Sequence, residues 1–179
     1  MSADASRDNP GSPSPTPVSE PAKNKARCVV RLLDGETFQT DVQRKAKVEV
    51  LIDEVMSHLK VEDRDYFGLY YAFKEQRFFL DPLKSGARQY PGSREPQWIL
   101  HFGVKYYVPD PHLLKDELTK YLYCLQLRQD IREERVLLDP ASDPALQLAA
   151  LTVQASLGDY DPEQHGEGYT PKYLSLIHI

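Results

Sequence analysis

Residues 28–42, CVVRLLDGETFQTDV, decide how this chain folds. Apolar and β-branched residues run or alternate on both sides of Asp34-Gly35, a composition that suits two strands. Gly35 supplies the positive φ that a tight hairpin requires. The reading is therefore a hairpin with strands over 28–33 and 36–42. Just downstream the period changes. Val48, Leu51, Ile52, Val55, Met56 and Leu59 recur at the spacing of one helical face, with Lys47, Glu49, Asp53, Glu54 and His58 on the polar side.

Working further outward, residues 66–71 (YFGLYY) are short, aromatic and Gly-interrupted, as befits a strand entering a core. Phe78-Phe79-Leu80 is another short strand, ended by Asp81-Pro82, and residues 84–96 form a loop rich in Gly, Pro and Arg. Residues 98–108 make a long final strand. The order β-β-α-β-β-β lays one helix across a mixed sheet, which is a ubiquitin-like β-grasp lobe over residues 27–108. It is near the size at which a single core is just adequate, about 80 residues.

At Pro109 the pattern becomes helical. Leu114, Leu118, Tyr121, Leu122 and Leu125 form a stripe that Cys124, Leu127 and Ile131 widen, which predicts a helix buried on more than one side. Asp110-Pro111 and Asp143-Pro144 read as a capping Asp followed by Pro at the first helical position. The second helix, over 143–157, carries its face on Leu146, Ala149, Ala150, Val153 and Leu157 and closes at Gly158. Two such helices leave apolar surface over, since bundles need more partners. Residues 109–179 are thus expected to be a helical lobe cut short, with 174–179 (LSLIHI) foreign to the natural protein. Residues 1–26 are dominated by Pro, Ser, Asp and Asn, the composition of a disordered tail. The fold class is α+β: a β-grasp lobe, then the start of an all-α lobe.

Composition excludes several functions. The 179 residues are 41% apolar and 27% charged with a net charge of −5, which supplies a core and argues against nucleic-acid binding. No apolar run is long enough to span a membrane and the N-terminus has no secretory h-region, so the cytosol is the expected compartment. Cys28 and Cys124 sit in apolar runs and read as reduced, buried thiols. No catalytic motif or phosphate loop is present, and His58, His101, His112, His165 and His178 lack partners at ligand spacing. No catalytic residue, metal or cofactor is assigned. Asp159 and Asp161 read as a turn after a helix. The aromatic cluster Tyr66, Phe67, Tyr70, Tyr71, Phe73, Phe78 and Phe79 reads as core rather than a base-stacking surface.

Four strings then carry a resemblance. Asp65-Tyr66-Phe67-Gly68-Leu69 resembles the D-Y-F-G-L of the FERM family's first lobe, and Val104-Lys105-Tyr106-Tyr107 the V-K-F-Y of that lobe's last strand. Residues 125–131 (LQLRQDI) resemble the L-Q-L-K-Q-D-I of the second lobe's first helix, and residues 153–161 (VQASLGDYD) its V-Q-A-E-L-G-D-Y-D. They occur in the right order and context over residues 27–173, and they resemble most the band 4.1-like branch and the FERM heads of cytosolic tyrosine phosphatases. The resemblance implies a ubiquitin-like lobe, the first part of an acyl-CoA-binding-protein-like lobe, and no third, pleckstrin-homology-like lobe. It implies an adaptor at the plasma membrane and cell cortex, docking cytoplasmic tails of membrane proteins, cortical cytoskeletal proteins and anionic phospholipids. The alternative it implies is the targeting head of a larger tyrosine phosphatase. Acyl-CoA binding rests on fold likeness alone and does not follow.

One departure bears on lipid. Where the family has W-L-D or W-L-K followed by cleft-lining lysines, this chain has Phe79-Leu80-Asp81, then Leu83, with the charge kept only at Lys84. That route to phosphoinositide is weakened. The remaining basic residues between the strands, Lys74, Arg77, Lys84, Arg88 and Arg94, are the candidate contact with an acidic membrane surface. A solvated loop explains them equally well.

Overall fold

The computed structural model describes residues 24–139, 141–158 and 161. The expected tail up to Lys23 and the segment 174–179 lie outside the described residues, as do Asp159, His165 and His178.

The hairpin at Asp34-Gly35 joins β1 (Lys25–Arg31) to β2 (Thr37–Gln43). Its loop is one residue longer than a two-residue turn. Leu32 N–H donates to Glu36 O at 2.9 Å, and Gly35 sits at φ 91°, the left-handed residue that ends a three-residue hairpin loop. β1 starts two residues ahead of the expected ordered chain, and Ala26 is already buried. Helix α1 (Val48–Leu59) buries Val48, Leu51, Val55 and Met56 as its periodicity predicts. They share one core with Cys28, Val30, Leu69, Trp98, Leu100 and Phe102. β3 (Phe67–Phe73) and β4 (Gln76–Phe79) follow, then β5 (Gln97–Val104). The sheet order is β2-β1-β5-β3-β4, with β1 and β5 parallel and every other pair antiparallel. This is the β-grasp arrangement.

Two local differences from the sequence reading have physical causes. The loop expected over 84–96 contains a short helix, α2 (Gly86–Gln89). A Cβ on Gly86 would lie 2.5 Å from Trp98 Cζ3, so glycine there lets the backbone press against the core. β5 ends at Val104 rather than running to Val108. Beyond it the Lys105 and Tyr106 amides both turn to the Tyr66 carbonyl, at 2.7 and 3.2 Å.

The helical lobe differs more. Asp110 does cap, accepting from His112 N at 2.9 Å, but it opens only a 3-10 turn over Pro111–Leu113. Helix α3 (Glu117–Arg132) starts at Asp116, whose carboxylate accepts from both Thr119 N and Thr119 Oγ1 at 2.8 Å. Helix α4 (Asp143–Leu157) is capped by Ser142, not Asp143, and Gly158 follows it. The expected burial of α3 on more than one side is not observed. Thr119, Leu122, Tyr123, Gln126 and Asp130 are buried, whereas Tyr121, Cys124 and Leu127 are exposed. On α4 only Ala145 is buried among the residues whose side chains are described, and Leu146, Leu148 and Leu151 are exposed. The reason is that α3 meets the sheet through a largely polar face, and nothing among the described residues covers the opposite one. Cys28 is buried as expected; Cys124 is exposed, which corrects the reading of two buried thiols.

Candidate functional site

A helix of fifteen or more residues that buries Gln and Asp must give them partners, because an unpaired polar group costs its full desolvation. α3 does so at the junction with the β lobe. Gln126, fully buried, accepts from Val104 N at 3.0 Å and donates to Asp130 Oδ1 at 3.0 Å. Asp130 also receives Arg77 Nη1 from β4 at 2.6 Å and the Tyr107 hydroxyl at 2.7 Å. Arg77 is forked, its second nitrogen lying 2.7 Å from Glu133 Oε2. Tyr123 OH donates to Tyr106 O at 2.7 Å while its ring meets Tyr66, Phe67 and Tyr107 edge-on. Arg135 Nη2 donates to Glu75 O at 2.6 Å. Gly103 leaves room for all this, since a Cβ there would lie 2.6 Å from Gln126 Oε1.

The electrostatics follow from the geometry. Burial opposes the charge on Arg77, yet its hydrogen bond to Glu133, with Tyr70 and Asp130 beside it, raises the guanidinium above its ordinary value. Burial opposes the charge on Glu133 as well, but hydrogen bonds from Arg135, Gln129 and Arg77 hold its carboxyl at about 2. Burial, then the Asp130 hydrogen bond, pushes the Tyr107 phenol up. Burial, with Tyr66 and Asp63 adding, pushes Tyr123 up to about 12. A network this fully paired holds a joint rigid; it offers no free acid, base or nucleophile.

The five basic candidates do not form one site. Arg77, with only 11% of its side chain exposed, is committed to Asp130 and Glu133. Lys74 is exposed in the two-residue β3–β4 turn, its ammonium 5.5 Å from the Phe73 ring centroid. Lys84, paired with Asp81 at 2.8 Å, and exposed Arg88 and Arg94 belong to the segment after β4. Lys74 thus lies at one end of β4 and the other three in the segment that follows its opposite end. Of the seven aromatics read as core, Phe67 and Tyr70 are buried, and Phe73 and Phe78 are exposed at the sheet margin. His58 is exposed, against Phe38, and His101 is half-buried and stacked on Tyr70. Among the described residues no cluster of His, Cys, Asp or Glu is set to hold a metal. A partly open cavity beside Trp98 and Gly86 measures about 20 Å³, room for a water rather than a substrate.

Sequence reasoning missed the joint. Gln126, Asp130 and Glu133 stand at i, i+4 and i+7, so a polar line runs beside the apolar stripe of the helix. That line was the available signal. Three of the four strings that carried the resemblance meet here: 65–69 through Tyr66 and Phe67, 104–107 through Val104, Tyr106 and Tyr107, and 125–131 through Gln126 and Asp130.

Comparison with known proteins agrees with this architecture. Residues 30–91 match the FERM N-terminal domain and residues 109–177 the FERM central domain. Human Band 4.1-like protein 2 is 46% identical over 143 residues, covering 78% of this chain and 14% of the relative. Human Band 4.1-like protein 3 is 42% identical over 149 residues, covering 82% of this chain and 13% of the relative. Tyrosine-protein phosphatase 1 of Caenorhabditis elegans is 34% identical over 161 residues, 87% of this chain and 15% of that protein. The chain therefore spans only a small part of the length of these relatives. The crystal structure of the FERM and C-terminal domain complex of Drosophila Merlin superposes with a TM-score of 0.67 at 23% identity, over 80% of this chain and 48% of that one. That likeness shows the fold.

Proposed function

Since the chain belongs to the FERM family, carrying its N-terminal and central domains, we propose that it is a recognition module of an adaptor that links cytoplasmic tails of membrane proteins to the cortical cytoskeleton. The observation that carries this is the high identity to two band 4.1-like proteins across both lobes. The site chemistry supports it: the polar network is spent on holding two lobes together, and the remaining assets are surfaces, grooves and strand edges. The module sits at the cytoplasmic side of the plasma membrane; no helix among the described residues is long and apolar enough to cross a membrane. Residues 109–179 form, in this reading, the first part of the second lobe. Proximity labelling from the full-length protein in cells tests it. Enrichment of membrane-protein tails and cortical cytoskeletal proteins is expected, and a label spread evenly through the cytosol overturns it.

Contact with anionic phospholipid is proposed for Lys84, Arg88 and Arg94, each worth about 1 kcal/mol near such a surface, without Arg77, which is committed to Asp130 and Glu133, and without Lys74, which lies at the other end of β4. Co-sedimentation with phosphatidylserine vesicles should be salt-sensitive and should fall about fivefold with each of Arg88→Gln and Arg94→Gln. Binding unchanged by both leaves the lipid contact without support.

A second reading has its own observation, the 34% identity to a tyrosine phosphatase: the module is then the targeting head of a larger enzyme. Phosphatase activity in the full-length protein toward a phosphotyrosine peptide would establish that reading, and its absence would leave the adaptor.

A further inference from the structure

β2 is an outer strand of the sheet. Its ladder with β1 is bracketed by Leu32 N–H to Glu36 O and by Arg44 N–H to Asn24 O. In an antiparallel pair hydrogen-bonded positions alternate, so within the register Arg31↔Thr37 to Lys25↔Gln43 the amides and carbonyls of Thr37, Gln39 and Asp41 point away from β1. No strand among the described residues pairs with them. The strand, TFQTDVQ, is seven residues long and lacks the lysines and prolines that commonly guard an edge. Its single charge, Asp41, is held by Arg27 at 3.0 Å.

Beside this edge lies an open groove between β2 and α1, lined by Phe38, Val50, Asp53, Glu54, Ser57 and His58. Val50 is 51% exposed and offers an apolar floor. Asp53 is paired at 2.9 Å with exposed Arg64, a pair open to exchange; Glu54 has no ion pair among the described residues. An acidic, partly apolar groove alongside an unpaired strand edge is complementary to one kind of ligand.

We propose that the β2 edge and the α1 groove dock an extended basic segment of a partner protein. Its backbone adds a sixth strand against Thr37, Gln39 and Asp41. Alternate side chains then face α1, an apolar one over Phe38 and Val50 and a Lys or Arg against Glu54 and Asp53. The Asp53 and Glu54 carboxylates disfavour an acidic membrane surface here, so this docking is separate from the lipid contact proposed above and does not depend on it.

The test is NMR of the 15N-labelled 1–179 chain titrated with the peptide acetyl-Thr-Val-Thr-Lys-Thr-Val-Thr-Lys-amide, in which one strand face alternates Val and Lys, with the Glu-substituted peptide acetyl-Thr-Val-Thr-Glu-Thr-Val-Thr-Glu-amide as counterpart. Shifts confined to residues 37–43 and 50–58 are expected, with slowed exchange of the Thr37, Gln39 and Asp41 amides. Glu54→Lys, on an exposed helix position that does not disturb the core, should weaken binding about fivefold or more. Shifts elsewhere, equal binding of the acidic peptide, or an unchanged affinity in Glu54→Lys overturns the proposal. Protection of the same three amides without peptide also overturns it: if it rises with protein concentration, the edge belongs to a second copy, and if it is independent of concentration, to the chain's own residues.

Discussion

Single residues show where this backbone works against its own side chains. α1 ends with Lys60 in the left-handed region at φ 59°, its N–H directed to Ser57 O and Met56 O, while Val61 N–H bonds Met56 O at 3.0 Å. This is the Schellman arrangement, in which glycine is the usual occupant. Lys60→Gly should therefore stabilise the protein by about 1 kcal/mol, read from urea unfolding; a loss of stability would show that the lysine side chain contributes there. The β3–β4 turn repeats the theme, with Lys74 and Glu75 both at positive φ, a turn type that normally takes Asn-Gly. The two cysteines divide cleanly. Cys28 is buried, and burial pushes its thiol up to about 12, whereas Cys124 is exposed. A maleimide at neutral pH should modify one thiol in the folded chain, mapped by mass spectrometry to Cys124, and both once urea is added. The buried Cys28 was legible from its neighbours in sequence. Cys124 was not, because its exposure depends on which side of α3 finds a partner.

At the scale of elements, the joint between β4, β5 and α3 sets the relation of the two lobes. Gln126→Leu removes the acceptor of the buried Val104 N–H and a donor to Asp130, and should cost about 2 kcal/mol. Gly103→Ala drives a methyl into Gln126 and Tyr70 and should cost about 2 kcal/mol by overpacking. The same joint responds to acid. Glu133 is held at about 2, below its ordinary 4.5. A carboxyl lowered on folding contributes stability that is whole above the unfolded value and is lost as pH falls through the folded one. Between about pH 4.5 and 2 the hold of α3 on Arg77 and Arg135 should weaken, and Glu133→Gln should remove that part of the pH dependence of unfolding while leaving the part due to other lowered carboxyls such as Asp41 and Asp116. A variant with the parental pH profile would show that Glu133 is not held by folding. Strand and helix existence was readable from period alone, but helix starts were not. Asp110 and Asp116 compete ahead of α3, and Asp139, Ser142 and Asp143 ahead of α4, and which one caps depends on where the chain leaves the sheet.

For the whole molecule, the joint predicts a single folding unit. The one tryptophan, Trp98, lies in the β lobe and is buried, whereas most helical residues lie in α3 and α4. Trp98 fluorescence and far-ultraviolet circular dichroism should report coincident urea transitions, and Gln126→Leu should separate them. Two distinct transitions in the parental chain would mean that the lobes are held only loosely. By itself the sequence determined the β-grasp order, the α1 face and the division near Pro109, because those follow from local period, from turn residues and from apolar alternation along contiguous stretches. It also placed the strings that resemble the FERM family. What only the tertiary structure decided is what those strings do. Gln126 and Asp130 look like misplaced polar residues along the helix until Val104, Arg77 and Tyr107 are brought to them from 22 to 53 positions away. The same contacts withdraw Arg77 from the surface and leave Tyr121, Cys124 and Leu127 exposed, while the sheet order leaves the outer edge of β2 without a strand partner among the described residues, beside the Asp53 and Glu54 groove. Burial and charge pairing are properties of which elements meet, and no local pattern encodes that meeting.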